Sequence, residues 1–324
     1  MPSSTSNSDR TALANTDDAA TKQSVQRATL ILILIMSGVL VGAELSARFL
    51  FPHISQIQRR IDEDQRQVLG FREPSRNAQP FILLVGNSLL LRGLDYPAIQ
   101  AEFPDAHVVR YVIENTSFFD WYYGLDHLFR LGIRPTRVVL CLNPGQTITR
   151  EILGDYSARY LFDTRDLLAV ARDAGLDTTQ TSNLFFAHWS SFYASRATIR
   201  NYLINVADPP YASALHELAR IPQPLPPESQ MIAIARARLR AINELCRRNG
   251  SDFIFLVPPS LSNLDEVLTK AAALENVKVT VPLPAGTVGA EYFRVDGFHL
   301  NDKGATLFTR KLARELRLGM TLRQ

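Results

Sequence analysis

The sequence predicts an α/β protein: a mainly parallel sheet flanked by helices on both faces, carrying a helical insertion and preceded by an N-terminal transmembrane helix. Three observations carry this reading. From residue 79 onward, short apolar runs that stop at glycine or proline alternate with helix-compatible stretches. Residues 150–228 break that alternation with helical patterns alone, and residues 28–43 contain no charge. Strands separated by helices pair in parallel, and a charge-free aliphatic run belongs in lipid.

Residues 1–27 are rich in Ser, Thr, Asn, Asp and Ala without apolar periodicity, and read as a disordered tail. Residues 28–51 read as a transmembrane signal anchor, with Glu44 and Arg48 at the interface, where long side chains reach water. Basic residues flank it on both sides, Arg10, Lys22 and Arg27 before and Arg48, Arg59, Arg60 and Arg66 after, so the charge rule does not orient it. A single span ahead of a large domain usually exports that domain; the expectation is an inner-membrane anchor with the domain periplasmic. A cleaved signal peptide ending at Val41-Gly42-Ala43 is the competing reading. Residues 52–78, polar and charged, read as a partly helical juxtamembrane linker.

The domain expected over 79–320 opens with a strand at Phe81 to Val85, followed by a helix at Asp95 to Glu102. A strand at His107 to Ile113, a helix at Trp121 to Leu131 and a strand at Arg137 to Leu142 come next. Helical patterns at Thr164 to Ala174 and Ser190 to Leu203 make the insertion, a lid closed by the extended stretch Pro222 to Pro227. The alternation resumes with a helix at Gln230 to Arg248, strands at Phe253 to Val257 and Val277 to Val281, and a closing helix at Lys303 to Leu316.

Composition excludes some functions. The 35 basic and 32 acidic residues are interspersed, leaving no stripe to neutralise phosphates, so nucleic acid is not an expected partner. Neither Cys141 nor Cys246 has metal or redox spacing, and the six histidines form no ligand cluster, so no metal and no cofactor is expected.

Chemistry concentrates at two places. Gly86-Asn87-Ser88 follows the first strand directly, which sets the Ser88 hydroxyl at the carboxyl edge of the sheet, where open α/β folds bind ligands. Near the other end, Val295-Asp296-Gly297-Phe298-His299-Leu300 puts an Asp three residues before a His in a glycine-containing loop. That spacing lets the carboxylate bond one imidazole nitrogen while the other faces a serine. Asp120-Trp121-Tyr122-Tyr123 reads as a helix start capped by Asp120 with a buried aromatic face, in preference to a sugar-stacking platform.

Together, a strand-Gly-Asn-Ser block and an Asp-x-x-His block before the last helix resemble the SGNH, or GDSL, hydrolases. The resemblance covers about residues 80–147 and 230–317 and implies that family's flavodoxin-like three-layer fold. It implies Ser88 as nucleophile, with His299 and Asp296 as its supporting pair. The third block, usually Gly-x-Asn-Asp, is matched by Cys141-Leu142-Asn143-Pro144, so Asn143 joins the Ser88 amide as an expected oxyanion donor. The second block lacks its glycine: Glu114-Asn115-Thr116-Ser117 stands there, with Asn115 or Thr116 the expected donor. With its anchor, the chain is similar to exported members that work beside membrane-bound O-acyltransferases. That implies an esterase or acyltransferase acting on acyl, chiefly acetyl, esters of a cell-surface or secreted polysaccharide, with such an acyltransferase as partner. A lipid or small-ester hydrolase, and an inactive accessory subunit binding a glycan or the acyltransferase, are the alternatives.

Overall fold

Five runs in the chain are apolar on alternate sides in a way that buries both faces, and each becomes a strand of one parallel sheet. In the computed structural model these are β1 (Phe81–Gly86), β2 (His107–Val112), β3 (Arg137–Cys141), β4 (Asp252–Leu256) and β5 (Lys278–Thr280), in the order β2-β1-β3-β4-β5. The structure describes residues 8–49, 53, 55–72, 79–152, 155–211, 225–261 and 264–321. The chain divides into two compact units, residues 1–54 and 55–324.

In the first unit one helix, α1 (Ser8–Phe49), contains a stretch from Gln23 to Phe49 that is apolar enough to cross a membrane. At 1.5 Å per residue that stretch is about 40 Å long, more than a bilayer's hydrocarbon core requires. Its aliphatic side chains are exposed from Leu30 to Val41, and Glu44 and Arg48 pair one turn apart at 2.6 Å. Of the tail expected to be disordered, residues 1–7 lie outside the described residues, and from Ser8 the backbone is already helical. Elongating an existing helix costs far less than nucleating one, and alanines at 12, 14, 19 and 20 favour elongation.

The second unit starts earlier than the sequence suggested. Residues 56–69, expected in a linker, form α2 (Gln56–Leu69), which packs on β2 with Ile61 and Val68 fully buried. Its polar residues bind too. Asp64 accepts from the Val112 N–H at 3.3 Å and pairs with Arg110 at 3.2 Å, Arg60 donates to the Val112 carbonyl at 2.7 Å and pairs with Glu114.

Alternation along the strands feeds two cores. Leu83, Val85, Tyr111, Val138, Leu140 and Phe255 point to one face, against α2, α5 (Phe118–Arg130), α11 (Glu228–Arg248) and the insertion. Ile82, Leu84, Val112, Val139, Ile254 and Leu256 point to the other, against α3 (Ser88–Gly93), α4 (Tyr96–Ala101) and α13 (Asp302–Thr321). The three-layer α/β architecture expected from the alternation is the one observed. Between β3 and α11 come α6 (Pro144–Ile148), α7 (Asp155–Tyr160), α8 (Leu167–Ala174), α9 (Thr178–Trp189) and α10 (Ser191–Ala207). α12 (Asp265–Leu274) separates β4 from β5. The expected linker at Pro222 to Pro227 lies outside the described residues up to 224. Both cysteines are buried free thiols.

Candidate active site

Strand order places the site. β2 and β3 flank β1 on opposite sides, so the connections leaving β1 and β2 diverge above the carboxyl end of β1, the crevice where such sheets bind ligands. Gly86 pairs in register with Val112 on one side and Cys141 on the other. Two residues further along each chain stand Glu114, Ser88 and Asn143, just past the carboxyl ends of their strands.

The turn that presents Ser88 is built from its two predecessors. A Cβ on Gly86 would lie 2.6 Å from the Cys141 carbonyl oxygen, so only glycine lets β1 and β3 approach here. Asn87 is fully buried and uses both ends of its amide. Its Oδ1 accepts from the Leu89 N–H at 3.1 Å, capping α3, and its Nδ2 donates to the Thr116 carbonyl at 2.9 Å. Ser88 is then the first residue of α3, half-buried, with an N–H that has no intrahelical acceptor.

The loop from the far end of the chain closes over it. Asp296 Oδ1 accepts from the Phe298 and His299 N–H groups, both at 2.9 Å, and Gly297 takes φ +63°, a left-handed turn. Arg294 braces the turn by donating its N–H to the His299 carbonyl at 2.7 Å and its Nε to the Leu300 carbonyl at 3.1 Å. In this frame the other Asp296 oxygen lies 2.8 Å from His299 Nδ1, and His299 Nε2 lies 3.0 Å from Ser88 Oγ. Residues 211 apart in sequence thus share one hydrogen bond.

Partial burial pushes the Asp296 carboxyl up, but the bonds from the His299 and Phe298 amides and the His299 ring outweigh it and hold the group at about 2. It is therefore an anion beside the imidazole, and the ring nitrogen it accepts from is Nδ1–H. The side chains of His299 and Asp296 are 24% and 31% exposed, so a substrate can reach the serine from solvent.

The oxyanion residues expected from the sequence separate into groups. The Thr116 side chain is fully buried, and its hydroxyl donates to the Ile113 carbonyl at 2.7 Å and accepts from Trp121 Nε1 at 2.9 Å. It supports the loop beneath Asn87 and presents no side-chain donor to the site. Asn115 is exposed and takes φ +56°, the left-handed conformation that glycine adopts without cost and Asn tolerates best among the rest. Asn143 caps α6: its Oδ1 accepts from the Gln146 N–H at 2.7 Å and its own N–H donates to Gln146 Oε1 at 3.1 Å. Its Nδ2 remains as the donor end of that amide.

Asp120 is not the helix cap expected. Ser117 occupies that position, and Asp120 at the third helical residue accepts from the Ser117 N–H at 2.8 Å, closing a capping box. The aromatic run behind it is core, with Trp121 fully buried, and offers no platform to a sugar.

No family model matches the chain, and no curated protein matches it. Among solved structures it is similar to TesA, at 14% identity and a TM-score of 0.36, covering 72% of this chain and 95% of that one. A lipolytic protein of the G-D-S-L family from Desulfitobacterium hafniense DCB-2 gives 12% and 0.37, over 72% and 98%. LAE5, an alpha/beta hydrolase enzyme from the metagenome of Lake Arreo, Spain, gives 10% and 0.38, over 75% and 96%. At such identity and superposition the chemistry is read from this chain's own side chains.

Proposed function

We propose that the chain is a serine esterase or acyltransferase of the SGNH type, with Ser88 as nucleophile, His299 as general base and Asp296 as the group that orients and charges it. The observation that carries this is the unbroken relay Asp296–His299–Ser88, at 2.8 and 3.0 Å, on a solvent-reachable sheet edge. Structural loops rarely align an ionised carboxylate, an imidazole and a serine hydroxyl in that order with the hydroxyl at a helix start.

In the reaction, His299 Nε2 takes the Ser88 proton as Oγ attacks an ester carbonyl. The carbonyl oxygen becomes an anion and is met by the Ser88 N–H and by Asn143 Nδ2, while Asn115 shapes the backbone on the other side. Collapse of the tetrahedral species expels the alcohol, which takes the proton back from His299 and leaves an acyl-serine. Water, or a sugar hydroxyl, then repeats the sequence in reverse. Asp296 stays an anion throughout, which favours the imidazolium that forms at each transfer.

The substrate we favour is an acetylated cell-surface or secreted glycan, with the domain held at the outer face of the inner membrane by the apolar helix and supplied by a membrane-bound O-acyltransferase. This choice over a lipid or small ester follows the resemblance to exported members that work beside membrane-bound O-acyltransferases, together with an N-terminal helix apolar enough to cross a membrane. The test is turnover of p-nitrophenyl acetate and of acetylated oligosaccharides by the full chain in detergent. Ser88→Ala and His299→Ala should each remove nearly all of it, because members of such a unit fail together. Wild-type activity no greater than that of Ser88→Ala would refute the enzyme and leave an accessory glycan-binding subunit.

A further inference from the structure

The helical insertion ends in an apolar helix face that its own domain leaves exposed. In its first half α10 turns small residues, Ser191, Ala194 and Ser195, onto the domain, and all three are buried. From Arg200 to Ala207 every residue but Ile204 is exposed. Large apolar side chains begin where that cover ends. Ile199, Tyr202, Leu203 and Val206 recur at the i, i+3, i+4, i+7 spacing of one helix face, and the last three are 68%, 57% and 66% exposed. A stripe of that kind left in water forfeits the burial that would stabilise it, and so marks a docking face.

The place of this stripe in the fold selects its partner. Midway along α10, the Thr198 hydroxyl meets the Tyr156 hydroxyl at 3.2 Å, and Tyr156 also bonds the Ser55 side chain. One turn further on α7, Tyr160 donates to Asp62 Oδ1 at 2.6 Å, so α7 joins α10 to the first turns of α2. At 1.5 Å per residue, Val206 is about 12 Å beyond Thr198 along the helix axis. The stripe thus stands near Ser55, the residue at which the domain begins. The apolar stretch of α1 ends at Phe49, six residues earlier, and so short a segment reaches at most about 20 Å however it runs. With that stretch in a bilayer, the end of α10 is held close to the membrane surface, an advantage that no freely diffusing partner has. Its composition suits the boundary between headgroups and acyl chains, where a Tyr ring places its body in the apolar layer and its hydroxyl in the wet one.

We propose that the end of α10 docks on the lipid surface, with Tyr202, Leu203 and Val206 toward the acyl chains and Asn201 toward water, giving the domain a second membrane contact beside its anchor. The assignment rests on the apolar helix being a membrane anchor and is independent of Ser88 being catalytic.

The experiment is electron paramagnetic resonance on the full chain, reconstituted in nanodiscs of phosphatidylcholine with a minor share of phosphatidylglycerol. A nitroxide is attached through Leu203→Cys, Val206→Cys, Asn201→Cys or Leu34→Cys, one at a time, while the buried Cys141 and Cys246 stay unlabelled. Oxygen partitions into lipid, a nickel chelate stays in water, and a label packed against protein meets neither. Labels at Leu203 and Val206 should be about threefold or more easily relaxed by oxygen than by chelate, and the label at Asn201 the reverse. The label at Leu34, within the apolar stretch, should behave as one in lipid. A Leu34 label open to the chelate would overturn the anchor, and the docking with it. A Leu34 label in lipid, with those at Leu203 and Val206 open to the chelate, would overturn the docking alone. Shielding of both α10 labels from oxygen and chelate would mean that protein covers the stripe, with spin–spin broadening marking a second copy, and would equally overturn it.

Discussion

Replacing Asn87 by Asp would give the Gly-Asp-Ser spelling usual among the SGNH hydrolases that the sequence resembles, and here it should destabilise the domain. The Asn87 side chain is fully buried between two backbone groups that need opposite chemistry. The Leu89 N–H, 3.1 Å away, needs an acceptor and an aspartate would serve it; the Thr116 carbonyl, 2.9 Å away, needs a donor and an aspartate would face it with a lone pair. Losing a buried hydrogen bond and leaving its acceptor unsatisfied costs about 1–3 kcal/mol, and burying an ionised carboxylate adds to that until the group protonates. A total of about 2–4 kcal/mol would lower the melting temperature by roughly 5–12 °C for a domain of this size. The introduced carboxyl has its folded pKa raised, so the deficit should shrink as pH falls and widen as pH rises. Urea unfolding of wild type and Asn87→Asp at two pH values, with esterase turnover alongside, measures all of this. Equal stability, or a deficit that grows toward acid pH, would refute the opposed-chemistry account.

Asp296→Asn should keep the fold and lower kcat by hundreds to about ten-thousandfold with a small change in KM, since an amide neither charges nor fixes the imidazole; steady-state kinetics on p-nitrophenyl acetate check it. A chain beginning at Ser55 should fold, whereas one beginning at Gln79 should not. The latter lacks α2 with buried Ile61 and Val68, each worth about 1.5–3 kcal/mol, and the Arg60, Asp62 and Asp64 bonds to β2 and Tyr160; circular dichroism and limited proteolysis distinguish the outcomes. Burial pushes the Asp120 carboxyl up to about 6, the bonds from Ser157 and Ser117 only partly offsetting it. Its folded value lies above its unfolded one, so the folded state holds the extra proton between them and this group's contribution to stability falls as pH rises from about 4 through 6. Asp120→Asn, which keeps the acceptor for Ser117, should erase that part of the slope, up to about 3 kcal/mol, in chemical unfolding across the range.

The five strands were legible because parallel strands buried on both faces read as short apolar runs with hard stops, and all five fall within a residue or two of their predicted ends. The helix α2 was not legible as part of the domain. Its buried stripe is Gln58, Ile61, Asp64 and Val68, and two of those four are polar, Asp64 being paired with Arg60 and Arg110, so an apolar-periodicity reading sees a solvated linker. The helix at Thr178–Trp189 buries only Leu184 and Ala187, too few for an apolar stripe to mark it, although Asp177 followed by Gln180 spells a capping box that could have marked its start. At the site, the Asp296 and His299 spacing was enough, since an i, i+3 turn fixes that pair locally. The Ser88 to His299 contact needed the topology as well, and the sequence reached it only through family resemblance.

The loop after β2 was the weakest part of the sequence reading, because its glycine is missing and two polar neighbours could take its place. The structure divides their work in physical terms. What glycine gives such a loop is backbone freedom at positive φ together with an unhindered N–H, and Asn115 supplies the first of these at φ +56°. Thr116 turns inward and ties the loop to Trp121, and through its carbonyl to Asn87. Asn87 and the loop after β2 are therefore coupled through one hydrogen bond. The Asn87 amide lets the serine turn donate to the neighbouring loop, and that bond, with α2 clamping Val112 and Glu114 from below, braces the loop around the positive φ of Asn115. Removing the clamp should then lower turnover without altering the Asp296–His299 pair: Arg60→Ala is expected to reduce kcat several-fold and Arg60→Lys less. Wild-type kcat in Arg60→Ala, with the fold intact by circular dichroism, would show that the loop holds its shape unaided.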